Sequence, residues 1–230
     1  MKDQIKDQLK AQVNINEVAR YLGYKNGNLS AETLEDIKKC ESNLETLVNL
    51  RTHHIVCNIE KGEEISVLGT TLKLSGKSIK NLLCDSDKCI LMIATIGNGA
   101  DHLISKLQIT NMAEALITDF CASSLVESLA DNFEAKLKSE ILKEGEFFTD
   151  RFSPGYGDLP ITIQKTFCEV LDSQRKVGVA VTTSGMMIPK KTITAIIGIA
   201  NKPQKMKIKG CEFCDFKNNC EFKKGGKHCE

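Results

Sequence analysis

One apolar run, residues 89–95, constrains the fold of this 230-residue chain more than any other segment. Its sequence, CILMIAT, carries no charge and is typical of a central strand that is buried on both faces. A second apolar run, residues 192–200, predicts another strand. The sequence therefore predicts a sheet with a buried centre.

Helical and β-prone segments are mixed around these runs without the regular alternation of a doubly wound fold. We therefore predict an α+β fold, with a mixed, largely antiparallel central sheet flanked by helices. The predicted helices span residues 15–22, 31–49, 78–83, 100–107, 111–142 and 161–176. The other predicted strands span residues 54–59, 65–68, 71–74 and 178–182.

Composition divides the chain into three predicted parts. Residues 1–50 are predicted as a helical segment that packs on the main domain, and residues 51–200 as the α+β core. Residues 201–230 are rich in Lys and Cys and are predicted as a tail that can carry a metal or iron–sulfur site.

Two sets of apolar residues are predicted to lie in the core. Helical spacing in residues 111–142 gives one stripe: Met112, Leu116, Phe120, Leu125, Leu129, Phe133 and Leu137. Isolated cysteines in apolar or mixed surroundings are usually small buried hydrophobes, which gives the second set: Cys40, Cys57, Cys84, Cys89, Cys121 and Cys168.

The charge balance argues against several classes of partner. A formal net charge of +1 gives no electrostatic basis for binding nucleic acid or an anionic membrane surface. No apolar run reaches the length of a membrane span, and the polar N-terminus, MKDQIKD, has no signal-peptide core. We therefore expect a cytoplasmic protein with no nucleic-acid and no membrane partner.

The hexapeptide RFSPGY, residues 151–156, has the residue types of a small-ligand turn. Arg151 offers a planar fork of donors that suits a carboxylate, and Tyr156 offers an aromatic face with a polar tip. Pro154 and Gly155 favour a turn at which backbone groups can approach a ligand. These groups suit a ligand with a carboxylate and a flat ring, such as S-adenosylmethionine. The alternative is a surface turn with an incidental Arg.

A second motif follows at residues 178–189, with the pattern Gly-Val-x-Val-Thr-x-Ser-x-x-Met-x-Pro. Together the two motifs resemble the activation domain of cobalamin-dependent methionine synthase. The resemblance runs from Thr95 to Ala200 and includes Glu127 in the segment ESLAD, and residues 14–25 are similar to the start of free-standing members of the family. It implies the activation-domain fold without the substrate-binding and cobalamin-binding modules of the full enzyme.

The resemblance implies a role for each motif residue. Arg151 would pair with the methionyl carboxylate, and the backbone at Ser153 and Gly155 would face the ligand, with Ser153 at the adenine. Tyr156 would line the pocket near the sulfonium. Glu127 matches an active-site acid of the family, so Tyr156 and Glu127 are the predicted catalytic residues; an ordinary solvated helix residue is the alternative for Glu127.

The match to the family is incomplete after the tyrosine. Residues 157–160 read GDLP, where the family usually has Pro, Cys and a carboxylate–His pair. The second motif is expected to shape a strand and a contact surface, rather than to touch the methyl group.

The function that the resemblance implies is reductive methylation of a corrinoid. S-adenosylmethionine would provide the methyl group. The electron would arrive through the C-terminal tail, through a flavodoxin or through a ferredoxin, and the sequence leaves these three sources open. Cobalamin would be held by a separate corrinoid methyltransferase, a methionine synthase that lacks its own activation domain. Because the partner holds the cobalamin, the isolated chain is expected to show no turnover.

Four of the ten cysteines, Cys211, Cys214, Cys220 and Cys229, crowd the C-terminal tail. Their spacing, Cys-x2-Cys-x5-Cys-x8-Cys, suits four thiolates on a zinc ion or on an iron–sulfur cluster. The need for an electron favours the cluster, whereas a zinc ion would serve to tie down the tail. A tail with free thiols is the third interpretation.

Two rival functions stay open. The chain could be an electron-transfer or metal-binding accessory module that acts through the tail cysteines, with a vestigial S-adenosylmethionine groove. It could also be an unrelated methyltransferase that holds the ligand on a Gly-rich strand–turn–helix. The one candidate for that turn, Gly97-Asn98-Gly99, matches no nucleotide fingerprint, so we interpret it as structural punctuation.

Overall fold

The computed structural model describes residues 9–24 and 29–204. The helices are α1 (Ile15–Tyr21), α2 (Ala31–Glu45), α3 (Lys77–Leu82), α4 (Asn98–Thr110), α5 (Met112–Ile141), α6 (Gln164–Val170) and α7 (Ser173–Val177), and a 3-10 turn spans Ile161–Ile163. The strands are β1 (Arg51–Lys61), β2 (Ile65–Val67), β3 (Lys73–Leu74), β4 (Ser86–Thr95), β5 (Phe147–Phe148), β6 (Ala180–Val181), β7 (Met187–Ile188) and β8 (Thr192–Ala200).

Within the described residues, the strands form a six-stranded sheet in the order β3-β2-β1-β4-β8-β5 and a two-stranded sheet of β6 and β7. Antiparallel registers join β1 to β2, β2 to β3, and β5 to β8. Residues 89–95 of β4 are all buried, as their apolar run predicts, and so are residues 194–200 of β8. The predicted α+β fold with a largely antiparallel central sheet is confirmed.

The chain divides into two compact units that interleave along the sequence. The first unit comprises the described parts of Met1–His54, Ile93–Glu140 and Leu171–Thr194. The second comprises the described parts of Ile55–Met92, Ile141–Val170 and Ala195–Glu230. The division predicted from composition, with boundaries after residues 50 and 200, stays a prediction.

Side-chain capping explains where α1 and α2 begin. Asn14 Oδ1 accepts the backbone N–H groups of Asn16 and Glu17, and Ser30 Oγ accepts that of Thr33. Helix α2 stops before the predicted end at residue 49, and residues 47–49 turn toward the start of α4. These three residues therefore make a tertiary contact instead of a further helical turn.

The first half of the predicted stripe on α5 is not core. The stripe residues between 125 and 137 are buried, but Met112 is 65% exposed and Leu116 is 49% exposed. Helical spacing shows which residues share a face, whereas a packed neighbour decides whether that face is covered. In the first turns of α5 the buried residues are instead Ala115, Ile117 and Thr118, so a different face of the helix is covered there.

Two other predicted elements differ from the structure. The helix expected over residues 161–176 is divided, because Asp172 adopts the left-handed region with φ +49° between α6 and α7. The strand expected over residues 178–182 is only Ala180–Val181. It forms a hairpin with β7, at the register Ala180–Ile188 and Val181–Met187, and does not join the large sheet.

Among the described residues, no helix is both long enough and apolar enough to cross a membrane.

Candidate functional site

The hexapeptide of residues 151–156 belongs to the second unit, where β8 holds its first residues. Phe152 and Ile196 exchange backbone hydrogen bonds of 2.9 and 2.8 Å. Three residues before Phe152, Thr149 donates its N–H to Gly198 O at 3.0 Å, and Gly198 N–H donates to Thr149 Oγ1 at 2.8 Å. Arg151 therefore lies between two anchored backbone positions.

After Arg151 the chain forms a tight turn, residues 153–159, which we call the Tyr156 turn. Tyr156 N–H donates to Ser153 O at 3.1 Å, Leu159 N–H donates to Tyr156 O at 3.0 Å, and Gly155 N–H donates to Leu159 O at 2.9 Å. Gly155 has φ +90°, a backbone conformation that side chains other than glycine rarely adopt. Pro154 and Leu159 are buried beneath the turn. The predicted turn is therefore present.

The side chains of this turn differ in exposure. Arg151 is half-buried, with its Nη1 atom out of contact with solvent, and Ser153 is also half-buried. Tyr156 is 66% exposed, and its ring meets that of Phe152 edge-on with 6.5 Å between centroids. A half-buried cationic side chain and an exposed aromatic ring thus lie on one short segment of chain.

Asp158 is a functional candidate that sequence reasoning missed. Its carboxylate accepts the backbone N–H groups of Lys77 and Ser78 at the start of α3. Partial desolvation raises the pKa of Asp158, but the hydrogen bonds from Ser78 and Lys77 outweigh it and hold that pKa below its ordinary value. The partners are 80 and 81 residues away in sequence, so no local pattern points to them.

The second motif forms the β6–β7 hairpin of the first unit. Thr182 N–H donates to Met186 O at 2.8 Å, and the Thr182 and Ser184 hydroxyl oxygens are 2.9 Å apart. Met186 and Ile188 are exposed apolar residues on this hairpin. An exposed apolar hairpin is compatible with the predicted contact surface.

Glu127, the other predicted catalytic residue, is exposed on α5 and belongs to the first unit. The structure thus has Ser153, Gly155 and Tyr156 in one turn and Arg151 two residues before that turn begins, whereas Glu127 lies on a different element. Its role as an active-site acid stays a prediction.

The start of α4 carries the Gly97-Asn98-Gly99 segment, and residues 47–49 cover it. Asn49 N–H donates to Ile96 O at 2.8 Å, and a Cβ on Gly99 would lie 2.0 Å from Leu47 O. The protein's own backbone therefore occupies the space that a phosphate would need. The glycines serve close packing here, as their interpretation as structural punctuation predicts.

Most of the cysteines among the described residues are buried. Burial raises the pKa of both Cys89 and Cys121 to about 12, so these thiols are protonated and unreactive at neutral pH. Cys40 and Cys168 are also buried, Cys57 is half-buried, and Cys84 is exposed, so the prediction that all six are buried is wrong for Cys84. Cys84 lies in the short turn between α3 and β4 and is exposed there.

The predicted metal ligands Cys211, Cys214, Cys220 and Cys229 lie outside the described residues. Within the described part of the chain, no group of three or more His, Cys, Asp or Glu residues is placed to hold a metal ion. The tail site stays a prediction.

Comparison with known proteins bears on these motifs directly. Residues 82–213 match the family described as vitamin B12 dependent methionine synthase, activation domain, and this span is more than half of the chain. The chain belongs to this family. The match includes both motifs, so the resemblance stated from them is confirmed.

A solved structure has a fold similar to that of this chain. The crystal structure of the MetH reactivation domain bound to AdoHcy matches with a TM-score of 0.61 and 14% sequence identity. The match covers 83% of this chain and 71% of that chain. At this identity the likeness shows a shared fold. A comparison with curated proteins found no match.

Proposed function

We propose that this activation-domain protein binds S-adenosylmethionine at the Tyr156 turn and supports reductive methylation of a corrinoid held by a separate methyltransferase. The observation that carries the proposal is that Arg151 and Tyr156 lie on one short segment, residues 151–156, in a chain of this family. The solved reactivation domain of similar fold is bound to AdoHcy, the demethylated product of S-adenosylmethionine.

The chemistry of the turn fits such a ligand. A guanidinium pairs with a carboxylate through two parallel hydrogen bonds, and Arg151 reaches its position from an anchored backbone. Glycine at position 155 lets the backbone of the turn pack closely on Ile161, since a Cβ there would lie 3.2 Å from Ile161 Cδ1. The exposed face of Tyr156 suits a sulfonium cation, which aromatic rings attract.

Each residue then has a distinct task in our proposal. When bound, S-adenosylmethionine supplies a methyl cation to the partner's one-electron-reduced cobalt and leaves as the neutral thioether S-adenosylhomocysteine. Arg151 orients the ligand through its carboxylate, and the backbone at Ser153 and Gly155 faces the adenine side. Tyr156 lines the pocket beside the sulfonium. Glu127 is proposed as an acid that acts from α5.

The partner is proposed to be a cobalamin-dependent methionine synthase that lacks its own activation domain, or a related methyltransferase. Flavodoxin or ferredoxin is the proposed electron donor, and the cytoplasm the proposed location. Because the cobalamin belongs to the partner, this chain alone has no reaction to complete. Its contribution is orientation of the methyl donor against the cobalt.

Isothermal titration of the anaerobically purified protein with S-adenosylmethionine tests the site. We expect saturable binding by the wild type and at least about tenfold weaker binding by Arg151→Ala, because a charged hydrogen-bond pair is lost. Arg175→Ala is the matched control, since Arg175 is an exposed arginine paired with Asp172 at 2.6 Å. Equal affinity of Arg151→Ala and wild type would show that the ligand site is elsewhere.

A reactivation assay tests the reaction. The assay contains an oxidised corrinoid methyltransferase, a reductant and S-adenosylmethionine. The methyltransferase should regain its activity only when this chain is added. Full turnover by this chain with free cobalamin, in the absence of any corrinoid protein, would contradict the proposed division of labour.

The spacing of the four tail cysteines supports a second candidate, an electron-transfer or metal-binding module. The same reactivation assay separates the two functions. Loss of activity in Arg151→Ala supports the S-adenosylmethionine site. Loss only in the double variant Cys211→Ala and Cys214→Ala favours the module, and iron and zinc analysis of the purified protein then identifies what the thiolates hold.

A further inference from the structure

Asp158 connects the Tyr156 turn to helix α3 within the second unit. Its Oδ2 accepts the Lys77 N–H at 2.5 Å, and its Oδ1 accepts the Ser78 N–H at 3.0 Å. Lys77 and Ser78 are the first two residues of α3, where backbone amides have no partner inside the helix. One carboxylate therefore satisfies both amides.

Gly76 allows this close approach. It has φ +121°, and a Cβ at this position would lie 2.7 Å from Asp158 Oδ1 and 2.8 Å from Asp158 O. Gly76 occupies the N-cap position of α3 and provides no side-chain hydrogen bond to it. The Asp158 carboxylate therefore caps α3 in place of an N-cap side chain, although Asp158 is about eighty residues away in sequence.

Asp158 belongs to the same turn as Ser153, Gly155 and Tyr156, so its contact with α3 also constrains the backbone of these residues. In sequence, Asp158 follows Gly157, which packs on Ser78 of α3, and precedes Leu159, whose N–H donates to Tyr156 O. A Cβ on Gly157 would lie 3.1 Å from Ser78 Oγ and 3.4 Å from Phe152 Cζ, so the turn rests closely on both. Movement of Asp158 away from α3 therefore moves the backbone on both sides of it.

We propose that Asp158 is the positioning residue of this site, which holds the Tyr156 turn on α3 in the conformation that presents Tyr156, Ser153 and Gly155 to the ligand. The identity of that ligand rests on the proposed function. The conformation of the turn does not, so the two can be tested apart.

Fluorine NMR of the protein labelled with 3-fluorotyrosine tests the conformation. The chain has three tyrosines and no tryptophan, so three signals are expected, and Tyr156→Phe assigns the relevant one. Tyr21 and Tyr24 belong to the first unit and report whether the rest of the protein is folded. The variants are Asp158→Ala, Asp158→Asn and Asp158→Glu. Asp87→Asn, an exposed carboxylate of the same unit, is the charge-matched control.

Asp158→Ala and Asp158→Asn are expected to move the Tyr156 signal toward that of free fluorotyrosine, while the Tyr21 and Tyr24 signals stay in place. Asp158→Glu restores a carboxylate and is expected to restore part of the shift, and Asp87→Asn is expected to change nothing. A Tyr156 signal that is unchanged in Asp158→Ala overturns the proposal, as does an equal change in Asp87→Asn.

Titration of the same variants with S-adenosylmethionine adds the link to function. We expect the affinity to fall at least about tenfold in Asp158→Ala and to recover in part in Asp158→Glu. Wild-type affinity in Asp158→Ala overturns the positioning role at the ligand site. If the wild type does not bind S-adenosylmethionine but the Tyr156 signal moves in Asp158→Ala, the anchor is supported and the proposed ligand is wrong.

Discussion

The backbone N–H of Asn14 donates to the hydroxyl of Ser124 at 2.8 Å, across 110 residues of sequence. Two further contacts continue this line along α5: Gln12 N–H donates to Ser128 Oγ at 3.1 Å, and Asn132 Nδ2 donates to Lys10 O at 2.7 Å. Each step is two residues on the N-terminal strap, residues 10–14, and four residues on α5.

These two steps match in length. Two extended residues span about 6.6 Å, and four helical residues span about 6.0 Å. Side chains at every fourth position of α5 can therefore bind every second residue of the strap. A ladder of hydrogen bonds therefore holds the strap on α5.

Removing the buried rung of this ladder should loosen the strap. Ser124 is buried, so Ser124→Ala leaves the Asn14 N–H without its acceptor and is expected to lower the free energy of unfolding by about 1–2 kcal/mol. Urea unfolding measures the loss, and hydrogen exchange of the Asn14 amide should become faster. Ser139→Ala, an exposed serine on the same helix, is the control. Equal stability of the two variants contradicts the ladder.

Gly99→Ala should be strongly destabilising, although alanine is the better helix former. Its Cβ would meet Leu47 O at 2.0 Å, and backbone would have to move to relieve that contact. We expect a loss of about 2–3 kcal/mol in the free energy of unfolding. Gly62→Ala is the control, since its Cβ would meet Glu64 O at 3.4 Å. A loss no larger than that of Gly62→Ala would show that residues 47–49 do not pack on α4.

Lys191 makes a partly buried ion pair that should contribute measurably to stability. Its ammonium lies 2.9 Å from Asp119 Oδ1 and 2.8 Å from Ser123 Oγ, and its side chain is 15% exposed. Asp119 is 41% exposed, so water screens part of the interaction, and we expect Lys191→Ala to cost about 1–2 kcal/mol.

A surface lysine provides the comparison for this pair. Lys39 is 62% exposed and lies 3.3 Å from Glu114, so Lys39→Ala is expected to cost less than about 1 kcal/mol. Thermal or urea unfolding of the two variants checks the order. If Lys39→Ala is the more destabilising, burial of the Lys191 pair has no energetic consequence.

Histidines of the first unit should make the protein less stable at mildly acidic pH. Burial lowers the pKa of His54, and burial together with Lys176 lowers the pKa of His53. Below about pH 6.5 the unfolded chain then binds more protons than the folded chain, so the free energy of unfolding falls as pH falls.

Urea unfolding between about pH 8 and pH 5 measures this dependence. The double variant His53→Gln and His54→Gln is expected to have a flatter profile than the wild type in the acidic part of this range. His102→Gln, the same substitution at an exposed position of α4, is the control. A wild-type profile that is flat below pH 6.5 would contradict the prediction.

Much of the fold was accessible from the sequence, because its signals are local. The caps at Asn14 and Ser30 depend on side chains that bond to amides two or three residues away. The buried strand of residues 89–95 depends on an unbroken apolar run. The turn after Arg151 depends on the angles that Pro154 and Gly155 favour, and those angles belong to the residues themselves.

The tertiary structure alone decided which of these faces and turns have partners. Helical spacing could not distinguish the exposed Met112 from the buried Leu137, since the difference lies in what packs on each turn of α5. Likewise, the amides that donate to Asp158 lie about eighty residues upstream, and the serine that accepts the Asn14 N–H lies 110 residues downstream. Such contacts follow no period along the chain, so only the folded arrangement of the backbone brings the two partners within hydrogen-bonding distance.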